Sequence, residues 1–251
     1  MWLAGTILLL AALFGGTWTP RPGSEYRRLA TAGLLLFLGG NGLGILGLRT
    51  MTAGPAALLV TMAPIFMALI ELGLPDSKKL ALIGWCGLAM GFLGVIWLIF
   101  SGEGLGVLDP MGAALTLLGS MAWAAGSVFT SRMKLSLPPS VQIGFQMFSG
   151  GICLLISGWC VGETANFHPT SSALAAFFYM LCFDALIANS LYLRLLKVWP
   201  AAKVGTYAYI TPFIAGLAGV IWLREPMNIG LALSGLVILG GVGLVQRARF
   251  D

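Results

Sequence analysis

One stretch of this chain is written twice. A shift of 148 positions carries Asn41 onto Asn189, Leu43 onto Leu191, Leu48 onto Leu196, Arg49 onto Lys197, Pro64 onto Pro212 and Gly87 onto Gly235. Ala53 with Ala201, Leu69 with Leu217 and Leu88 with Leu236 hold the register without a gap. Matched leucines are cheap in an apolar chain. A matched asparagine, a basic residue eight positions on and a proline fifteen beyond that are not. Self-similarity at a fixed offset restricts the chain to folds built from two copies of one unit.

Composition says where those copies live. With 58% hydrophobic and 9% charged residues, the chain cannot cover itself with a water-facing surface. A bilayer crossing takes about 20 apolar residues as a helix. Nine stretches qualify, at 1–18, 29–48, 53–73, 80–100, 111–130, 141–161, 173–196, 202–223 and 229–246. The alternation of a membrane barrel is absent, so backbone groups must be satisfied within helices. The first stretch lacks the basic start and small-residue cleavage site of a signal peptide. The predicted fold is therefore an all-α, polytopic integral membrane protein with nine transmembrane helices.

A net charge of +5 raises the possibility of a nucleic-acid partner. The placement of the basic residues argues against it. Arg21, Arg27, Arg28, Lys78, Lys79, Arg132, Lys134, Arg194, Lys197, Lys203, Arg247 and Arg249 fall at alternate connections, leaving Arg49 and Arg224 for the other side. Twelve against two is the positive-inside asymmetry, whereas a nucleic-acid binder gathers its basic residues on one face among aromatics. Glu103, Asp109, Glu163 and His168 lie on the basic-poor side. This predicts a multi-pass protein of the inner (plasma) membrane, with the C-terminus cytoplasmic and the N-terminus outside.

Repeat and topology combine. The offset pairs stretch 2 with 7, 3 with 8 and 4 with 9, each five crossings apart; five is odd, so the copies are inverted. Stretch 1 then pairs with 6, and stretch 5 has no counterpart. The chain reads as a five-plus-five architecture lacking its opening helix, with one repeat over 1–103 and the other over 104–251. Either translation starts at Met1, or the sequence is a fragment or begins at a mis-assigned start; both readings stand.

Several residues carry candidate chemistry. Gly42-x-Gly44-x-x-Gly47 matches a dinucleotide fingerprint by letters, but no strand precedes it, and glycines at mid-membrane serve close helix packing. Asn41 and Asn189 sit at equivalent positions, as interhelical hydrogen bonders or as cavity lining. Pro64 and Pro212 each delete a backbone donor mid-span, and corresponding interruptions in two halves point to a midplane substrate site. Asp184 lies deep in stretch 7, where a charge costs about 2.5–3.5 kcal/mol. Met180, Leu181, Ile187 and Ala188 around it are apolar, so it either holds a proton or faces water, and both suit proton coupling. The bland alternative is a neutral acid bonded to a neighbouring helix. Glu71 sits near a span end, within reach of the interface. Trp123 lies mid-span with Ser127 one turn on, and Tyr207 and Tyr209 precede Pro212; these suit either an apolar cleft with placed polar groups or ordinary core packing. Cys86, Cys153, Cys160 and Cys182 form no C-x-x-C, and one loop histidine supplies no metal set, so neither metal nor cofactor is expected.

The order of motifs resembles the EamA type of the drug/metabolite transporter superfamily. AGLLL (Ala32 to Leu36), NGLGILGLR (Asn41 to Arg49) and AGPAALLVTMAPIF (Ala53 to Phe66) are similar to its first repeat; SMAWAAGSVFTSR (Ser120 to Arg132) and YAYITPFIAGLAGVIWLREP (Tyr207 to Pro226) are similar to its second. The resemblance implies ten helices in two inverted repeats with both termini cytoplasmic, and export or exchange of small metabolites. Two departures are the missing first helix and the acid after the fourth helix of each repeat, present as Glu225 but replaced in the first by Leu74-Pro75-Asp76. The expected function is a secondary transporter, not an enzyme, that exports small metabolites or drugs by alternating access. Amino acids, nucleobases and lipophilic drugs all suit the lining. Its partners are a small-molecule substrate, the lipid bilayer and protons as coupling ion, with the oligomeric state left open. Asp184 would exchange the proton; Asn41, Pro64, Trp123, Ser127, Asn189, Tyr207, Tyr209 and Pro212 would form the substrate site. The alternatives are a membrane-embedded enzyme or an inactive truncated permease.

Overall fold

A computed structural model describes residues 1–18, 22–75, 80–101, 108–160, 162, 170–222 and 229–249, and its regular elements are helices. In chain order they are α1 (Trp2–Phe14), α2 (Gly23–Gly47), α3 (Ala53–Gly73), α4 (Leu82–Ser101), α5 (Pro110–Arg132), α6 (Pro139–Cys160), α7 (Ser171–Leu195), α8 (Ala201–Trp222) and α9 (Ile229–Arg247). Eight are long and apolar enough to cross a membrane. The exception is α1, predicted as a full span over 1–18. Its 13 residues reach about 20 Å, against about 30 Å of hydrocarbon. It stops because Gly16 turns into the left-handed region at φ 65°, with its N–H bonded back to Leu13. Conversely, α2 starts six residues before the apolar run predicted from 29. Pro22 precedes it, and its polar first turns, with Arg27 and Arg28, carry the helix past the hydrocarbon.

The chain forms two compact units, residues 1–42 with 126–199 and residues 43–125 with 200–251. Each draws helices from both sequence repeats. In the first unit α1 packs on α6, its repeat mate: Gly5 lies against Gly144 and Phe148, and Gly151 against Met1 and Trp2. Rising numbers on one helix meet falling numbers on the other, so the mates run antiparallel. In the second unit the same holds for α4 on α9, where Gly84 meets Ala248, Gly87 meets Gly241 and Gly94 meets Ile238. It holds again for α3 on α8, where Glu71 meets Ala201 and Gly205 meets Met67 and Pro64. Antiparallel mates are what an odd number of crossings between copies requires. Lipid offers no hydrophobic drive between helices, so these contacts rest on small residues that admit close backbones.

Side chains close several helix ends. Asp109 accepts the N–H of Gly112 at 2.7 Å at the start of α5. That bond, and next the Thr50 hydroxyl, hold its carboxyl below the usual range. At the other end of α5, Lys197 donates to the carbonyls of Thr130 at 2.9 Å and Met133 at 3.2 Å. A cation at a helix C-terminus opposes the negative end of the dipole. Glu71, expected at the interface, is buried and caps the first turn of α8 by accepting the Ala201 N–H at 3.2 Å. Lys197→Met should lower stability by about 0.5–1.5 kcal/mol, since it strips two carbonyls of a charged donor that water replaces only in part. Thermal unfolding in detergent should place Lys197→Arg between the two. Partial desolvation of the ammonium against the end of α5 lowers the Lys197 pKa. Between that value and the ordinary lysine range the unfolded chain binds more protons, so this group's contribution to stability rises with pH there. An unchanged melting temperature in Lys197→Met would dismiss the cap.

Candidate functional site

The interruptions that shape the site are of two kinds. Leu34–Gly42 in α2 and Met180–Asn189 in α7 are π-helical. Shifted by 148, Leu34–Gly42 becomes 182–190, so the two wide turns share a register. Such turns inside helices collect at functional positions. They hold Asn41 in one copy and both Asp184 and Asn189 in the other. The prolines mark the second kind. α3 breaks at Thr61–Met62, leaving Pro64 in the first turn of Ala63–Gly73, where a missing N–H costs little. α8 turns at Thr206, and Pro212 lies inside Tyr207–Trp222, where a helix bond is lost.

In the first unit Asp184 is half-buried, and its backbone carbonyl accepts the Asn189 side-chain amide at 3.1 Å. Asn189 thus serves its own helix, donating to the carbonyl that a π turn reaches. Asn41 is half-buried. Ser127 is fully buried and shares a hydrogen bond of 2.6 Å with the Tyr192 hydroxyl. One turn further on, Thr130 donates to the Gln146 side-chain carbonyl at 3.3 Å. The Gln146 amide nitrogen is buried without a hydrogen-bond partner among the described residues. A buried donor left unmade costs about 1–3 kcal/mol, so it awaits an acceptor.

Sequence reasoning missed Thr130, Gln146 and Tyr192. A signal existed: Gln142 and Gln146 stand one turn apart in an apolar span, and amides in hydrocarbon need partners. Gln142 finds one in the Leu137 carbonyl at 2.6 Å.

In the second unit Pro64 is buried, and Trp123 and Pro212 are half-buried. Tyr209 is fully buried with its ring across Gly91, and its hydroxyl has no partner among the described residues. Tyr207 is 45% exposed. Residues two apart point to different faces of a helix, so the two tyrosines have different surroundings. Glu225, Glu103, Glu163, His168 and Asp76 lie outside the described residues. The first unit thus carries hydroxyl and amide groups with one carboxylate inside its helices, and the second carries a buried phenol.

The chain is similar to several known proteins. The sequence profile of the EamA-like transporter family matches residues 1–100 and 110–247. The uncharacterized inner membrane transporter YedA of Escherichia coli K12 is 33% identical over 251 residues, 98% of this chain and 79% of its own. The uncharacterized transporter YvbV of Bacillus subtilis is 26% identical over 206 residues, 82% of this chain and 67% of its own. A solved crystal structure superposes with a TM-score of 0.79 at 19% identity, covering 96% of this chain and 82% of that one, a likeness of fold alone.

Proposed function

This chain belongs to the EamA-like transporter family, and from that premise we propose that it is a secondary transporter of the inner membrane. It exports small metabolites or drugs, amino acids and related compounds among them, in exchange for protons. The observation that carries this reading is the pair of π-helical interruptions at one repeat register. Interrupted helices in corresponding places of inverted halves are where transporters of this architecture bind substrate. Asn41 and Asn189 lie within those interruptions in the two copies, and Ser127 of the same unit brings a buried hydroxyl. Asp184 is the proton-exchanging group, and the site opens alternately to either side of the membrane. The basic asymmetry of the connections supports a cytoplasmic C-terminus.

The test is an untargeted comparison of metabolites in the medium and interior of cells that express this chain or an empty vector. Expression should deplete at least one small polar or aromatic compound inside and enrich it outside, and the difference should collapse when a protonophore is added. Indistinguishable profiles, with the protein present in the membrane, would refute transport by this chain. A difference that survives the protonophore would refute the coupling.

A further inference from the structure

At one end of the first unit the cations outnumber the anions, and the protein does not use the surplus. Glu25, in the first turn of α2, accepts the Ser136 hydroxyl at 2.7 Å on one carboxylate oxygen and the Ser136 N–H at 3.3 Å on the other. This clasp lays the connection between α5 and α6 on the start of α2, beside a buried core that holds Leu29, Met133 and Leu137. Arg27 and Arg28 follow the clasp on α2, Arg132 and Lys134 precede it on the other strand of chain, and all four are exposed. Among the described residues, no carboxylate pairs with Arg27, Arg28 or Lys134. Orientation requires basic residues on this side of the membrane. It does not require them gathered about one clasp.

Depth decides which anion can meet them. Tyr26, next to Arg27, accepts the Trp18 ring N–H at 3.0 Å and lies with its ring centre 5.1 Å from that of Phe145. Tryptophan and tyrosine gather at the level of lipid headgroups. α2 begins in polar turns and α5 ends on Arg132, so the four cations stand at that same level. Basic clusters at the ends of spans attract anionic lipid.

We propose that this rim binds the headgroup of an anionic phospholipid. Arg27, Arg28, Arg132 and Lys134 give charge-assisted hydrogen bonds to its phosphate oxygens, and Glu25 is the one charge that opposes it. The lipid fastens the start of α2 to the connection between α5 and α6. This binding stands whether or not the chain moves a substrate.

The test uses the purified full chain in micelles of a neutral detergent, where membrane orientation plays no part. Fluorescent phosphatidylglycerol is the probe and phosphatidylcholine its uncharged counterpart. Phosphatidylglycerol should bind at least about tenfold more tightly, and salt should weaken it. Each cation at an anionic lipid surface is worth about fivefold in affinity, so Arg28→Gln and Lys134→Gln should each cost about that factor. Arg247→Gln removes the same charge from the second unit, where Arg247 is also exposed, and should leave binding unchanged. Glu25→Gln keeps an oxygen for Ser136 but removes the opposing charge. It should tighten binding severalfold, a gain that misfolding cannot produce. Equal affinity for the two lipids, an equal loss in Arg247→Gln, or unchanged or weaker binding in Glu25→Gln would overturn the proposal. So would displacement of the lipid by inorganic phosphate, which would make a free anion the occupant.

Discussion

Gly150→Leu is expected to remove folded protein from the membrane, while Gly44→Leu leaves it intact. Gly150 of α6 presses on the backbone of α2. A Cβ added there would overlap the Gly33 carbonyl oxygen and lie 2.8 Å from its carbon and 2.9 Å from the Phe37 Cβ. Gly33 in turn presses on the Gln146 carbonyl. The obstacle is main chain on both sides, so no rotamer change relieves it. Overpacking typically costs about 1–3 kcal/mol, and more where backbone must shift. Here α2 and α6 would have to separate along their contact, losing the dispersion that holds them. That is a large fraction of a total stability of about 5–15 kcal/mol. At Gly44 nothing lies within 4 Å of an added Cβ. Detergent-extracted protein should lose its monodisperse peak in Gly150→Leu and keep it in Gly44→Leu. A normal peak and melting temperature for Gly150→Leu would mean that the two helices do not approach this closely.

Asp184→Asn should abolish export driven by a proton gradient while sparing substrate exchange. Asparagine copies the shape of a protonated aspartate, so steps that require the neutral form continue. It cannot release a proton, so net flux against a gradient stops. The loss should be at least about a hundredfold, the scale on which removal of a positioned proton carrier acts. Counterflow in proteoliposomes loaded with the exported compound separates the two activities. Equal gradient-driven flux in wild type and Asp184→Asn would exclude Asp184 as the coupling group. Loss of counterflow together with export would mark it as structural. The hydrogen bond from Asn189 runs to the Asp184 main-chain carbonyl and does not depend on the charge, so the substitution leaves the π turn in place.

The prolines and the glycine cluster show how far a linear reading reaches. Pro64 and Pro212 are at matching registers in the sequence, yet only Pro212 lies within a continuous helix. The wide turns that do match are in α2 and α7, where no proline announces them. Gly42, Gly44 and Gly47 read alike as packing residues. Gly47 meets Gly112 and Thr116, Gly42 meets Leu154, and Gly44 meets nothing. Ser127 was legible as a polar residue mid-span, but its partner Tyr192 lies 65 positions away. Lys197 reads as one more basic loop residue and proves to close the end of α5.

By itself the sequence determined that the chain is helical, that it crosses lipid many times and that its halves are inverted copies. Those conclusions follow from local quantities: apolar run length, backbone groups with no partner but each other in hydrocarbon, and the parity of crossings between equivalent residues. Only the tertiary structure decided which glycines touch backbone, which tyrosine is buried and where the helices widen. In a water-soluble helix the polar side points away from the core and gives such facing away. Here the spans are mostly apolar on every side, so the pattern carries little direction, and facing is settled by whichever neighbour packs opposite.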